Sequence, residues 1–277
     1  MVHRSGVKAF TRVMAVGLFV VSATLGCASV LERSASLPVR HAVVLDQLVI
    51  HTDARLPKED RLFEDLRALR ETLTATLALQ LSKEPIHVYL FENEKRYKAY
   101  LAKYYPQFPD RRAFFVQNEN SLAVYAHRGD RVAEDLRHEV THGYLHASFP
   151  ALPLWLDEGL AEYFETPRGD SGLNRPHVAL LNTLMTRDGW RPNLSRLEQF
   201  TNASDMKQAD YAECWAWMHM LLETIPQRRE LVQEFLRTIR RDGPPEPLSA
   251  VVARSMSQAD QLLVDHLTKL AKAQSVQ

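Results

Sequence analysis

The segment at residues 138–142 reads His-Glu-Val-Thr-His, and it constrains the fold of this chain more than any other segment. In a helix, positions four apart lie on one face, so the imidazoles of His138 and His142 can reach a single metal ion. Glu139 is one step further round and close enough to hold a water molecule on that ion. A chance match is expected in roughly a few percent of chains with this many histidines. The motif therefore needs a third ligand.

A second predicted helix supplies that ligand. Glu158 comes 16 residues after His142, beyond a proline-bounded turn that would fold this helix back against the first. Two histidines and one glutamate leave the fourth tetrahedral position open for water, as a catalytic zinc requires. Glu162, one turn after Glu158, is suited to accept the free ring N–H of one ligand histidine. The alternative is that both glutamates belong to a solvated helix surface.

Other metal sites fit the sequence less well. A metzincin would need glycine at position 145 and histidine at position 148, where this chain has Leu145 and Ser148. His146 lies one turn beyond His142, too far along the axis to join both motif histidines at one ion, which favours a packed or solvated side chain. No cluster of cysteines exists for a structural zinc.

The pattern of apolar residues predicts an α+β fold, with a small mixed sheet followed by an all-helical half. The first part should contain about four strands, at residues 41–52, 86–91, 113–117 and 121–127, and helices at 57–81 and 94–104. The second part should contain helices at 131–148, 154–165, 175–187, 207–225, 228–241 and 256–273. We see no linker that forces independent domains, so residues 39–277 are predicted to form one domain, with a sheet layer at 39–129 and a helical half at 130–277.

The first 26 residues predict a signal peptide, which we exclude from the fold. A basic start precedes an uncharged apolar run at residues 13–25, which is too short to span a membrane comfortably. The sequence Thr-Leu-Gly-Cys at residues 24–27 resembles a bacterial lipobox, which implies that Cys27 becomes the lipid-modified first residue of the mature chain. Residues 27–38 would then form a lipidated tether.

The cysteine content agrees with this prediction. An acylated Cys27 leaves only Cys214, so no intramolecular disulfide can form. Two or three acyl chains would hold the protein firmly at a membrane, whereas a single chain binds only marginally. The expected location is the bacterial cell envelope, outside the cytoplasm and lipid-anchored, or the secreted fraction if Cys27 is not acylated. The lipid would be the chain's only attachment to the membrane.

The charge balance excludes one class of partner. Lysine plus arginine and aspartate plus glutamate number 34 each, so the formal net charge is zero. A neutral chain offers no electrostatic reason to bind nucleic acid. The length of 277 residues is sufficient for a substantial core.

The two predicted metal helices together resemble the peptidase MA-like domains of the gluzincin clan. HEVTH followed by LPLWLDEGLAEYFE is most similar to a family of bacterial envelope proteins that carry HExxH and a W-L-x-E-G-L-A-x-Y helix, and the likeness covers about residues 40–225. It implies a thermolysin-like zincin core, with His138, His142 and Glu158 as ligands of one Zn²⁺ and Glu139 as the general base. The gap between the second histidine and Glu158 is shorter than in thermolysin-like enzymes.

The same resemblance suggests a residue that stabilises the transition state. Members of this clan often use a downstream tyrosine or histidine to bind the oxyanion, and Tyr211 occupies the corresponding place. Tyr211 also belongs to an apolar stripe with Trp215, Met218 and Leu222, and such a stripe is the ordinary reason for aromatic residues at this spacing.

The sequence therefore predicts a zinc metallopeptidase that hydrolyses peptide bonds through a zinc-bound water. The expected substrates are peptides or proteins, including the peptides of peptidoglycan. If the strand at residues 121–127 lay at the sheet edge, it could bind an extended peptide by strand addition. Two rival hypotheses remain: a catalytically inactive, zinc-bearing envelope binding module, and a structural interaction protein in which the HExxH is accidental.

Overall fold

The computed structural model describes residues 35–57, 59–119, 121–149, 151–242 and 246–274. The predicted signal peptide and Cys27 lie outside these residues, as does most of the tether. Within the described ranges, none of the helices is both long enough and apolar enough to cross a bilayer.

The first half of the chain forms a mixed five-stranded sheet with two helices, so the predicted α+β class is confirmed. The strands are β1 (His41–Leu45), β2 (Leu48–Thr52), β3 (Ile86–Phe91), β4 (Ala113–Asn118) and β5 (Ser121–His127), and the helices are α1 (Arg61–Leu77) and α2 (Glu94–Tyr104). The strand order is β1-β2-β3-β5-β4, with β1–β2 and β4–β5 antiparallel and the two central pairs parallel.

The single strand predicted at residues 41–52 is wrong, and with it the estimate of about four strands. The segment is a hairpin in which β1 turns back onto β2 through Asp46 and Gln47. Asp46 has a φ of 52°, a left-handed conformation that aspartate tolerates better than most residues. Val43 and Leu45 pair with Ile50 and Leu48, so the apolar positions change from odd to even numbers across the turn. This shift in the alternation marks the break, and the prediction of one strand overlooked it.

Helix α1 is shorter at both ends than the predicted span of residues 57–81. The Asp60 side chain accepts a hydrogen bond from the backbone N–H of Leu62 and so caps the first turn. At the other end Ala78 adopts a left-handed conformation with a φ of 50°, which ends the helix before Leu81. Leucine spacing predicted the buried face correctly but overshot both boundaries.

The second half of the chain is helical, as predicted. The helices are α3 (Val132–Ser148), α4 (Leu154–Phe164), α5 (Arg175–Arg187), α6 (Leu194–Leu197), α7 (Gln208–Glu223), α8 (Pro226–Asp242), α9 (Leu248–Ser255) and α10 (Ala259–Gln274), with a 3₁₀ turn at Ala203–Asp205. The short helices α6 and α9 were not predicted, and the helix expected at 256–273 begins after Gln258, whose φ is 56°.

One hydrophobic cluster joins the two halves. It runs from strand residues such as Ile50 and Val88, through α3 and α4, to Leu267 on α10. Helix α4 lies against both α3 and α7, and it is buried along nearly its whole length. Gly159 permits this close approach, because a Cβ there would lie 2.7 Å from the backbone oxygen of Cys214 on α7. The packing of α4 fixes the position of its neighbour Glu158.

Candidate metal centre

Helix α3 separates a core face from a polar face. Leu136, Val140 and Leu145 are fully buried in the hydrophobic core. His138 and His142 lie on another face and approach each other across one turn, with their Nε2 atoms 3.3 Å apart. The spacing of four that the sequence predicted therefore brings both imidazoles to one point.

Glu158 reaches the same point from α4. Its Oε2 atom lies 3.7 Å from the Nε2 atom of His138 and 3.7 Å from that of His142. This oxygen is buried and has no hydrogen-bond partner among the described residues. A buried carboxylate oxygen without a donor is costly unless a cation lies beside it. Ligand atoms of the three residues lie within 4.8 Å of one another, so this group can hold a metal ion.

Two carboxylates lie behind the histidines. The Nδ1 atom of His138 lies 2.9 Å from Glu165 Oε2, and that of His142 lies 3.0 Å from Asp157 Oδ1. A carboxylate on the far nitrogen fixes the tautomer and the orientation of a ligand histidine and raises its basicity. Each imidazole thus presents Nε2 towards Glu158 and Nδ1 towards a carboxylate. The contact of His138 with Glu165 is a hydrogen bond, whereas Asp157 Oδ1 lies close to His142 without hydrogen-bond geometry.

Glu162 was predicted to orient a ligand histidine, and the structure gives it a different contact. Its Oε2 atom lies 2.7 Å from Nε2 of His177 on α5, while Glu165 takes the hydrogen bond to His138. Glu162 still lies beside His138, since ligand atoms of His138, Glu162 and Glu165 fall within 4.8 Å of one another. Asn174 supports Glu165 by donating to its Oε1 atom at 3.0 Å.

His146 is linked to the centre through Asp157. It is not part of the group formed by His138, His142 and Glu158. Its Nε2 atom lies 2.9 Å from Asp157 Oδ2, and its Nδ1 atom lies 2.7 Å from Gln117 Oε1. His142, His146 and Asp157 form another group that could hold an ion. The 2.9 Å separation is an ordinary hydrogen-bond length, so we interpret this group as a support for His142.

The charges around the site favour a cation. Burial opposes a charge on His138, but the carboxylates of Glu158 and Glu165 outweigh it and hold the pKa of His138 well above its usual value. Burial likewise opposes a charge on His142, yet Asp157 raises the pKa of His142 to about 9. Burial alone would raise the pKa of Glu158, but the two imidazoles lower it. A bound metal ion would take the place of the protons on the imidazoles.

Glu139 lies next to the ligand group without belonging to it. It lines a cavity of about 360 Å³ together with His138 and Arg111. Burial raises the pKa of Glu139, against the opposing effect of the two imidazoles, and the backbone N–H of Phe115 on β4 donates to the carboxylate. A raised pKa brings a carboxylate closer to the range in which a general base works best at neutral pH.

Tyr211 lies on the same side of the site. Its phenol oxygen accepts a hydrogen bond from Nη2 of Arg111 at 3.0 Å, and its hydroxyl donates to the Ala203 carbonyl at 3.2 Å. Burial and the nearby Glu158 raise the pKa of Tyr211. The hydroxyl hydrogen is directed at Ala203, so Tyr211 would have to release that carbonyl before it could donate to an oxyanion. Its proposed role in the transition state stays a prediction.

The edge strands of the sheet are β1 and β4, so the condition for strand addition at residues 121–127 is not met. Strand β5 pairs with β3 on one side and with β4 on the other, so its backbone is fully used. Strand β4 lies alongside α3, and the ring of Phe115 stands 6.0 Å from that of His142. Strand addition near the metal centre would therefore use β4.

Residues 133–246 match the protein family described as "Protein of unknown function (DUF1570)". The matched segment runs from the start of α3 to the end of α8, so it contains the ligand group, Glu139 and Tyr211, while Arg111 precedes it. No curated protein matches the chain.

Three residues around the ligands were missed by sequence reasoning. Asp157 precedes Glu158 on α4, and Glu165 directly follows the last residue of that helix. Glu165 comes seven residues, or about two helical turns, after Glu158, so a search of that face for further carboxylates would have found it. His177 gave no such signal, because its contact with Glu162 depends on how α5 packs.

Glu165→Ala should weaken metal binding by about 10- to 100-fold, the usual cost of losing a carboxylate partner of a ligand histidine. Glu162→Ala should weaken it less, since the described partner of Glu162 is His177. Zinc affinity measured by competition with a chromophoric chelator distinguishes the two variants. A larger loss for Glu162→Ala would instead support the role that the sequence suggested.

Proposed function

We propose that this chain is a zinc-dependent metallopeptidase in which His138, His142 and Glu158 hold the ion and Glu139 acts as general base. The observation that carries the proposal is the buried Glu158 Oε2 atom, which has no described hydrogen-bond partner and faces both Nε2 atoms at 3.7 Å. Glu139 stands beside this point in an open cavity, where a substrate can reach it.

The geometry and the donor set favour zinc over harder cations. Two ligand atoms of a tetrahedral zinc, each about 2.1 Å from the ion, are separated by roughly 3.4 Å. The three separations here are 3.3, 3.7 and 3.7 Å. Two imidazoles and one carboxylate suit zinc, whereas calcium and magnesium prefer oxygen ligands. Three protein ligands leave one position open, as in catalytic sites.

In the proposed hydrolysis each of these residues has a separate role. Zinc, when bound, lowers the pKa of a coordinated water and polarises a carbonyl oxygen. Glu139 removes a proton from the attacking water and delivers it to the leaving amine, a contribution of about 100- to 10,000-fold. Asp157 and Glu165 hold the two imidazoles in the required tautomer.

A peptide substrate agrees with the surroundings of the site. No described strand pairs with the outer side of β4, where the Phe115 N–H reaches Glu139, and β4 lies alongside the helix that carries the ligands. An extended peptide paired with β4 would bring a backbone carbonyl to the water that Glu139 deprotonates. Proteins and the peptides of peptidoglycan both contain such extended segments.

Purified full-length protein in detergent should contain one zinc per chain after reconstitution, and it should cleave members of a peptide library. Elemental analysis and mass spectrometry of the products measure the two properties separately. Zinc without cleavage of any peptide or peptidoglycan fragment would favour the inactive binding module. Absence of stoichiometric zinc would leave only the structural interaction protein.

We also propose that the protein is anchored at the outside of a bacterial cytoplasmic membrane by acylated Cys27, a proposal that rests on the sequence of residues 13–27. Metabolic labelling with a fatty-acid analogue should mark the wild-type protein and leave Cys27→Ala unmarked. An unlabelled wild-type protein would indicate cleavage without lipidation and therefore a secreted product.

A further inference from the structure

Arg111 is an exposed cation at the mouth of the metal cavity. It lies in the loop before β4, and it lines the same cavity of about 360 Å³ as His138 and Glu139. Partial burial of the guanidinium would lower the pKa of Arg111, but the hydrogen bond to Tyr211 and the charges of Glu158 and Glu139 raise it.

The other charges of this cavity are paired. Lys98 contacts Glu94 at 2.9 Å and Asp110 at 3.1 Å. Arg112, the neighbour of Arg111, forms a fork with both carboxylate oxygens of Asp135. Glu165 is bound to His138, as described above. These pairs leave Arg111 and Glu139 as the groups with charge available for a substrate.

Arg111 itself has a neutral partner. Its guanidinium donates to the phenol oxygen of Tyr211 at 3.0 Å and lies 5.7 Å from the centre of that ring. Among the described residues no carboxylate lies within 4.0 Å of this guanidinium. The contact with Tyr211 holds the planar group in place and uses one of its five N–H donors. The remaining donors can form the two parallel hydrogen bonds that a carboxylate accepts.

We propose that Arg111 binds a carboxylate of the substrate close to the scissile bond, so that the substrates are peptides with a free carboxylate at that position. This inference rests on the proposed peptidase function. The carboxylate can come from the C-terminus of the peptide or from an aspartate or glutamate side chain, and Arg111 recognises the chemistry that both share. Arg111 is then a specificity-determining residue, and it contributes to binding more than to the chemical step.

The test compares matched peptides on full-length, zinc-loaded protein. One pair differs only in a free or amidated C-terminus, and a second, amidated pair differs only in aspartate or asparagine beside the cleaved bond. Wild-type protein should prefer the carboxylate member of at least one pair by about 10- to 100-fold in kcat/KM, mainly through KM, as expected for a charge-assisted bidentate contact. The pair that shows the preference identifies the source of the carboxylate.

Variants at neighbouring positions provide the controls. Arg111→Met should abolish the preference and Arg111→Lys should retain part of it, because lysine keeps the charge without the fork. Arg112→Met should leave the preference intact, since Arg112 already binds Asp135. Equal use of both members of each pair by the wild type would overturn the proposal. So would an Arg111→Met variant that loses kcat equally for every peptide, which would indicate a role in the transition state.

A binding measurement separates this proposal from the peptidase proposal. Calorimetry with Glu139→Gln protein and the same peptide pairs requires no turnover. Tighter binding of the carboxylate member, lost in Glu139→Gln combined with Arg111→Met, supports the Arg111 site even if no peptide is cleaved. Equal binding of both members overturns it even if the protein is an active peptidase.

Discussion

Glu139→Gln should reduce peptide cleavage by at least about 100-fold while leaving one zinc bound per chain. The amide is nearly the same size as the carboxylate, so the packing beside Phe115 should survive. It cannot accept the proton of the attacking water, so the general base is lost. Glu139 lies outside the ligand group, which is why the metal should remain. Steady-state cleavage and elemental analysis on the same sample measure both quantities.

Glu134→Gln is the matched control for this substitution. Glu134 lies on the same helix, belongs to none of the described groups that could hold a metal ion, and forms ion pairs with Arg112 and Arg131. This variant should therefore keep cleavage within a few-fold of the wild type, because such partly exposed pairs contribute little to stability. If Glu139→Gln cleaved a substrate as fast as Glu134→Gln, the assignment of Glu139 as general base would be wrong.

The sequence predicted the elements whose pattern is local. The leucines of α1 and the apolar residues of β3 and β5 repeat at helix and strand periods, so the type of each element was correct. Boundaries were missed where a single residue changes the backbone direction. Asp46 turns the chain between β1 and β2, where the apolar alternation shifts by only one residue, and Ala78 ends α1 although the leucine spacing continues to Leu81.

In the candidate site, too, only the residues with a local sequence pattern could be predicted. His138 and His142 are four residues apart on one helix, and the turn before α4 folds Glu158 back onto them, so local spacing located all three. The contacts that support or surround them depend on packing between distant segments. Arg111 and Tyr211 are 100 residues apart, and only the fold brings them together. Glu165 binds His138 in place of the predicted Glu162, and this too depends on how α4 is rotated against α3.

His142→Ala should lower zinc affinity by more than the 10- to 100-fold expected for loss of an outer partner. The variant removes one of three ligands and leaves the buried Glu158 with a single imidazole to share the ion. Affinity is measured by competition with a chromophoric chelator at one pH for both proteins, because His142 of the wild type, with its pKa raised to about 9, must lose a proton before it binds the metal.

A comparison of two single variants, His146→Ala and Glu158→Gln, decides which group of residues holds the ion. If the ion lies between His138, His142 and Glu158, Glu158→Gln should be as damaging as His142→Ala. His146→Ala should then cost about 10-fold or less, because His146 acts only through Asp157. If the ion lay instead between His142, His146 and Asp157, the two effects would be reversed. If His146→Ala lost most of its zinc affinity while Glu158→Gln kept normal affinity, the metal centre would lie one helical turn further along α3, away from Glu139. That result would remove the geometric basis of the peptidase mechanism.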